Sequence, residues 1–284
     1  MFKKIENNYL KDQIVCTAGM DYLFVSRLGD IFRCIVHCHH EDRKIGNIKN
    51  SNDLPILKSQ VCDKVICEDN CDKLFASHWK NNQLINSPKI IFWPQPKNVD
   101  EVNTYNIHLF VELVRGCPNK CFYCTVDKHK WYKIEYIDSS YWIEFLTSVA
   151  KKRKGIKYFN ISGLGENLLH PQFYDICQTA INLDYMLGLT TSGLHNTHIF
   201  KNVIKDNYST LKKMFLCLSL HPTSYLYDEN KIIDLLSFLK EFKKVNVHGT
   251  LVGCDENIKH QQSLENIFRR FNFEMKVLDY NPNH

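Results

Sequence analysis

Three cysteines, Cys117, Cys121 and Cys124, stand in the run Val114-Arg115-Gly116-Cys117-Pro118-Asn119-Lys120-Cys121-Phe122-Tyr123-Cys124. A C-x3-C-x2-C spacing in a short loop containing Gly116 and Pro118 lets three thiolates converge on one side of a single inorganic cluster. An iron–sulfur cube takes four cysteines as a rule, so a loop offering three leaves one iron open to a small molecule with nitrogen and oxygen donors. The competing chemistry is a structural zinc site, because closely spaced cysteines are zinc ligands as well. Zinc knuckles generally show two cysteine pairs, whereas this triplet directly follows an apolar run, Asn106 to Val114, that reads as a strand. The spacing points to chemistry rather than to a structural clip.

With Tyr123 as the aromatic before its last cysteine, the triplet resembles the signature of the radical S-adenosylmethionine (SAM) superfamily. Three further segments carry the resemblance. Asn160-Ile161-Ser162-Gly163-Leu164-Gly165-Glu166-Asn167 is similar to the family's Gly-Gly-Glu-Pro turn, with Leu164 in place of a glycine and Asn167 in place of the proline. In the family that turn holds the amino group of SAM, which implies cofactor contacts from Gly163, Gly165 and Glu166. Glycines there permit close approach of backbone to ligand. Ser192, at the end of Leu187-Gly188-Leu189-Thr190-Thr191-Ser192, and Ser219, in Leu218-Ser219-Leu220-His221, match positions whose side chains reach the ribose. Leu251 and Val252, on the fifth strand, fall where the adenine lies, and His221 should project near the mouth of the site. The resemblance implies a four-iron four-sulfur cluster on Cys117, Cys121 and Cys124, SAM on its open iron, and an electron donor of flavodoxin or ferredoxin type.

Helices and strands must set these residues in place. Trp142, Phe145, Leu146 and Val149 form an i, i+3, i+4, i+7 stripe after Asp138-Ser139, a natural N-cap. Phe173, Ile176, Cys177 and Ala180 repeat the stripe after Pro171, and Ile232, Leu235, Leu236 and Leu239 do so again. Apolar strands are read near 106–114, 157–162, 185–192, 213–220, 245–253 and 272–280. Strands alternating with helices predict an α/β fold with a parallel sheet and right-handed crossovers. A set of six matches the partial (β/α)6 TIM-like barrel of the superfamily, in which active residues sit at strand C-terminal ends. The barrel is expected over 101–284, with no further domain after the sixth strand.

A small cysteine-rich domain is expected over 1–100. It holds six of the 12 cysteines, in the patterns Cys16-x12-Gly29-x4-Cys34 and Cys62-x4-Cys67-x3-Cys71, with Ile45-Gly46-Asn47-Ile48 between them. This resembles the SPASM/twitch modules that carry auxiliary iron–sulfur clusters in radical SAM enzymes, here placed before the barrel instead of after it. The resemblance implies one auxiliary four-iron four-sulfur cluster on Cys16, Cys34 and two of Cys62, Cys67 and Cys71, with Cys38 a bystander. His37, His39 and His40 around Cys38 keep a zinc module open as the alternative. Pro88, Pro94 and Pro96 mark the linker.

The chain has 284 residues, 44% hydrophobic content and a net charge of +5, enough to bury a core around one medium and one small domain. Lys151-Lys152-Arg153-Lys154 closes an amphipathic helix, where cations favour the helix dipole, so nucleic acid is not the expected partner. No apolar run is long enough to span a membrane, and Met1-Phe2-Lys3-Lys4-Ile5-Glu6 lacks the apolar core of a signal peptide. Twelve cysteines without such a signal are expected as thiolates in a reducing cytoplasm.

As a radical SAM enzyme the protein would abstract a hydrogen atom from an unactivated C–H bond. The substrate radical then either loses an electron and a proton, giving dehydrogenation or bond formation, or regains a hydrogen atom on its opposite face, giving epimerisation. Cys254, in Gly253-Cys254-Asp255, is the candidate thiol donor for the second route, while Cys177 and Cys217 are expected to be structural. A compact polar molecule, a sugar or aminocyclitol, is the expected substrate, with a ribosomally made peptide as the alternative. A non-catalytic electron carrier or metal-stabilised binding protein is the third reading, and it leaves the Glu166 turn unexplained.

Overall fold

In a computed structural model of the chain, the residues described are 15–16, 22–34, 43–50, 60–61, 78–80, 83–86, 106–121, 123–124 and 133–279. Two compact units divide it: Met1–Val111 with Ser140–Phe159, and Glu112–Ser139 with Asn160–His284.

The first unit begins with β1 (Val15–Cys16), β2 (Tyr22–Val25), β3 (Asp30–Phe32) and β4 (Gly46–Asn47). Strands β5 (Gln60–Val61), β6 (His78–Lys80), β7 (Gln83–Asn86) and β8 (Ile107–Val111) follow. A small sheet runs in the order β5-β1-β6-β7. Strands β2 and β3 form a hairpin that turns at Gly29, whose φ of 83° a side chain rarely adopts. Ser26 Oγ closes the turn by accepting from the N–H groups of Leu28 and Asp30. Asp30 then accepts from Asn47 Nδ2 at 2.6 Å and pairs with Lys44 at 2.7 Å, joining β3 to β4. Sequence reading assigned this hairpin to the cysteine-rich region alone. Instead β2 runs parallel to β8, with Leu23 opposite Leu109. Every residue of β2 and β8 is buried, as suits strands covered on both faces. Helix α1 (Ser139–Lys152) turns Trp142, Phe145, Leu146 and Val149 inward, as its stripe predicts.

The second unit alternates strands and helices. Strand β9 (Lys157–Ile161) begins in the first unit and ends in the second, whose further elements are α2 (Phe173–Asn182), β10 (Tyr185–Thr191), α3 (Thr197–Asn207), β11 (Met214–Leu220), α4 (Glu229–Leu239), β12 (Val245–Gly253), α5 (Asp255–Ile258), α6 (Gln261–Arg270) and β13 (Glu274–Asp279). Strands β10, β11, β12 and β13 pair in parallel register. The larger sheet has nine strands, ordered β13-β12-β11-β10-β9-β8-β2-β3-β4, and is mostly parallel. All six strands expected for the barrel are present, each within three residues of its predicted ends.

One face of β11 and β12 lies in the core: Leu216, Leu218, Leu220, Val245 and Leu251 are buried on it. Burying one such side chain stabilises by about 1.5 to 3 kcal/mol, so this face fixes the register. On the other face Phe215, Cys217, Ser219, His248, Thr250 and Val252 stay half-exposed. Leu251, expected beside the adenine, therefore belongs to the core face, and Val252 alone of that pair is on the open one.

Candidate active site

The chain leaves β8 at Val111 and enters the cysteine loop through a series of backbone constraints. Arg115 exchanges both backbone hydrogen bonds with Glu135, at 3.0 and 2.9 Å. Gly116 bridges to Gly165, and the Glu166 N–H donates to the Gly116 carbonyl at 3.1 Å. The cysteine loop and the Gly163–Glu166 turn are thereby zipped together. At Gly165 a Cβ would sit 2.1 Å from the Val114 carbonyl oxygen, and at Gly163, with φ 130°, it would press on Glu112.

Polar side chains hold both segments from beneath. Glu112 is buried, accepts from the Leu164 N–H at 3.2 Å and pairs with Arg115 at 3.1 Å. Asn167 Oδ1 accepts from the N–H groups of Leu113 and Val114, at 2.9 and 3.3 Å. A proline at this position has no such acceptor, so the departure at Asn167 is a direct tie between the turn and the Leu113–Val114 segment that leads into the cysteine loop. Asn119, between the first two cysteines, is 2% exposed. Its Oδ1 lies 2.8 Å from His195 Nε2, and its carbonyl accepts from Ser224 Oγ at 2.8 Å.

Glu166 is buried, and its carboxylate is enclosed by the end of β10. Oε1 accepts from Thr191 Oγ1 at 2.7 Å; Oε2 accepts from the Ser192 N–H at 2.9 Å and from Ser192 Oγ at 2.6 Å. The hydroxyl proton of Ser192, a residue read as a ribose contact, is thus directed at Glu166.

A cavity of about 190 Å³ opens between these segments. Cys117, Cys121, Cys124 and Tyr123 form one wall, and Gly163, Gly165 and Glu166 another. Thr190, Ser192, Ser219 and His221 supply the strand-end side. The residues read from the sequence as holding the SAM cluster or the amino-acid and ribose parts of SAM therefore border one space, while Leu251 and Val252, read as adenine contacts, do not line it. Tyr123 hydroxyl and His221 Nδ1 share a short hydrogen bond across it. Burial lowers His221 to about 4, leaving its ring neutral at pH 7. Desolvation pushes the Cys117 thiol up to about 12 and the Cys121 thiol to about 11, so metal uptake here must displace protons. Among the described residues no three His, Cys, Asp or Glu side chains gather tightly enough for a single metal ion.

Cys254 takes a different place. It is 4% exposed at the N-cap of α5, close enough to Tyr123 to influence the phenol, and is not on the cavity wall. Cys217 is half-exposed on the open face, opposite Thr190 of β10, with its sulfur 3.4 Å from Thr250 Oγ1. Cys34 stands two residues past the end of β3, and Cys16 lies in β1. The other N-terminal cysteines, Cys38, Cys62, Cys67 and Cys71, fall outside the described residues.

Sequence reasoning missed Glu112, Asn119, Thr191, His195 and Ser224. Their partners lie 25 to 105 positions away, and no spacing rule links such residues. Asn119 alone carried a signal, being a small polar residue between two ligands.

Among solved structures, SuiB of Streptococcus suis superposes on 63% of this chain and 40% of its own, at a TM-score of 0.47 and 13% identity. The match thus spans less than half of that protein's length. A comparison with curated proteins gives no match. The family model described as the radical SAM superfamily matches residues 111–267, more than half of the chain and the whole of the cavity wall. The chain belongs to the radical SAM superfamily.

Proposed function

We propose that this radical SAM enzyme binds a four-iron four-sulfur cluster on Cys117, Cys121 and Cys124 and SAM in the adjoining cavity. In our reading it dehydrogenates a polar small molecule of sugar or aminocyclitol type, with epimerisation as the competing outcome. The observation that carries the reading is the single cavity walled by three cysteines, a glycine turn and strand-end hydroxyls. The donor set fits the cofactors. Three soft thiols suit an iron–sulfur cluster, and the backbone at Gly163 and Gly165 lies where no Cβ fits. Once bound, cluster and SAM supply a 5′-deoxyadenosyl radical able to take a hydrogen atom from an unactivated carbon.

The protein's own share is placement and protection. Asn119, held by His195 and Ser224, fixes the loop that offers the thiolates. Glu112 and Asn167 hold the turn against that loop, so the amino-acid end of SAM meets a preformed surface. Glu166 acts through Thr191 and Ser192, keeping the end of β10 beside the turn. Ser219, on the cavity wall, is the proposed ribose contact. The half-exposed polar face of Cys217, His248 and Thr250 continues from Ser219 and supports a polar substrate over an apolar one. Cys254, buried away from the wall, favours dehydrogenation over thiol-dependent epimerisation.

The β2–β3–β4 hairpins, with Cys34 two residues past β3, support a second, auxiliary cluster of SPASM/twitch type on Cys16, Cys34 and two of Cys62, Cys67 and Cys71. A flavodoxin- or ferredoxin-type protein is the proposed electron donor, in the cytoplasm; no helix among the described residues is long and apolar enough to cross a membrane.

Anaerobic reconstitution tests both clusters. The wild type should take up about eight irons per chain, and a variant with alanine at Cys117, Cys121 and Cys124 about four. That variant should form no 5′-deoxyadenosine from SAM after reduction. Continued 5′-deoxyadenosine formation would refute the assignment of the catalytic cluster, and about four irons in the wild type would refute the auxiliary one.

A further inference from the structure

Parallel register sets polar side chains side by side on the open face of the second unit. Thr190 of β10 stands opposite Cys217 of β11, Cys217 opposite His248 of β12, and His248 opposite Glu274 of β13. The next row toward the strand C-terminal ends runs Ser219, Thr250, Lys276. Thr190 and Ser219 belong to the cavity wall, so both rows lead out from it. Cys217 and Thr250 engage each other. His248 is half-buried; desolvation and the Lys276 ammonium lower its pKa against the pull of Glu274, so its ring is neutral at pH 7 and able to accept a proton. Asn160 of β9 leans over β10 from the same side. Its Oδ1 lies 2.1 Å from where a Cβ on Gly188 would project, and Gly188 shares a strand face with Thr190, two residues on. Asn160 Nδ2 is buried with no hydrogen-bond partner among the described residues. A buried donor without an acceptor costs free energy that an incoming oxygen recovers.

We propose that a ring polyol lies on this face between Asn160 and His248, with Asn160 donating to one of its oxygens and His248 accepting the proton of the hydroxyl that is oxidised. Strands β10 and β12 stand about 10 Å apart, two steps of about 4.8 Å, which a six-membered ring with its substituents fills. The inference rests on the dehydrogenation proposed above and names the group that takes the proton. The step balances. The C–H hydrogen atom passes to the 5′-deoxyadenosyl radical, the O–H proton to a ring nitrogen of His248, and the remaining electron to the iron–sulfur cluster that SAM cleavage has oxidised, leaving C=O. Glu274, in register with His248, favours the imidazolium that results.

The test uses anaerobically reconstituted, SAM-loaded protein, with scyllo-inosamine and glucosamine, each deuterated on its ring carbons, as probes. Calorimetry reads probe binding, and mass spectrometry reads deuterium in 5′-deoxyadenosine and the ketone product. Wild type should bind a probe, move its deuterium into 5′-deoxyadenosine and form ketone in step. Asn160→Ala should raise the probe Kd roughly 10-fold at unchanged iron content. His248→Ala should still bind the probe and move deuterium, but its ketone per 5′-deoxyadenosine should fall roughly 100-fold, the share of a general base. Added imidazole should restore the ketone, which a merely structural role would not allow. Ketone formation unchanged in His248→Ala, or lost without recovery in imidazole, would overturn the base. Unchanged probe affinity in Asn160→Ala would overturn the placement of the ring. A wild type that cleaves SAM yet binds neither probe would overturn the polyol on this face and leave SAM cleavage standing, whereas one that forms no 5′-deoxyadenosine would overturn the proposed function itself.

Discussion

At the scale of single residues, the surprise is how much of the site's polarity is turned inward. The family's glutamate is expected to meet the amino group of SAM, yet the Glu166 carboxylate already accepts three short hydrogen bonds from Thr191 and Ser192. Its more direct role is to fasten the turn to β10, which changes what a substitution should do. Glu166→Gln keeps the shape but turns one acceptor into a donor in a buried network, where an unmatched polar group costs about 1 to 3 kcal/mol. We expect a lower denaturation midpoint together with weaker SAM binding at wild-type iron content, measured by chemical unfolding and SAM titration. Weaker binding with an unchanged midpoint would show instead that the carboxylate serves SAM and not the fold. The same inward turn explains what the sequence hid. The types of Cys117, Cys121, Cys124, Gly163, Gly165 and Ser219 announce chemistry, whereas His195 and Ser224 act only on a loop far away in the chain.

Among elements, the strands were legible because an apolar run bounded by polar turns has few alternatives in a parallel sheet. Helices α1, α2 and α4 were legible for their unbroken stripes, all of which are buried. Helices α3 and α6 were not read. In α3 the buried set Phe200, Val203 and Ile204 is interleaved with lysines and asparagines, and α6 buries only Leu264 and Phe268. Such thin stripes resemble loop composition until a sheet is there to receive them. The turn after β9 was read from its glycines, and those glycines make a sharp prediction. A Cβ at Gly165 would meet the Val114 carbonyl oxygen at 2.1 Å and Arg115 Cα at 2.9 Å, all main chain that no rotamer change can clear. Gly165→Ala should therefore break the Gly116–Gly165 bridge, destabilise by about 2 kcal/mol or more, and abolish SAM binding. Gly46→Ala, in β4, is the control. Its new methyl group would find Ile31 Cδ1 at 3.6 Å, ordinary contact, and should shift stability by less than about 0.5 kcal/mol. Equal behaviour of the two variants in thermal melts and SAM titrations would mean that the bridge does not position the turn.

For the whole molecule, the two proposed fates of the substrate radical differ in their electron count. Dehydrogenation is redox-neutral: one electron enters to cleave SAM, and the substrate radical gives one back as it loses a proton. Epimerisation by a thiol is not. The S–H bond breaks as the new C–H bond forms, and the sulfur radical left behind needs a further electron and proton before the next turnover, so reductant is consumed at both steps. Cys254, the donor singled out in the sequence, is buried at the start of α5 and absent from the cavity wall, so reaching a substrate would require α5 to move. The half-exposed Cys217 lies on the open face but shares its sulfur with Thr250. We therefore expect turnover in deuterated water to give a product two hydrogens lighter, with no solvent deuterium at the reacting carbon. Reductant should be consumed only catalytically, and the rate should be little changed in Cys254→Ala. Mass spectrometry of the product and titration of the reductant read these outcomes separately. One solvent deuterium at that carbon, with stoichiometric reductant use, would establish the epimerase route. Loss of that label in Cys254→Ala or in Cys217→Ala would then identify the donor.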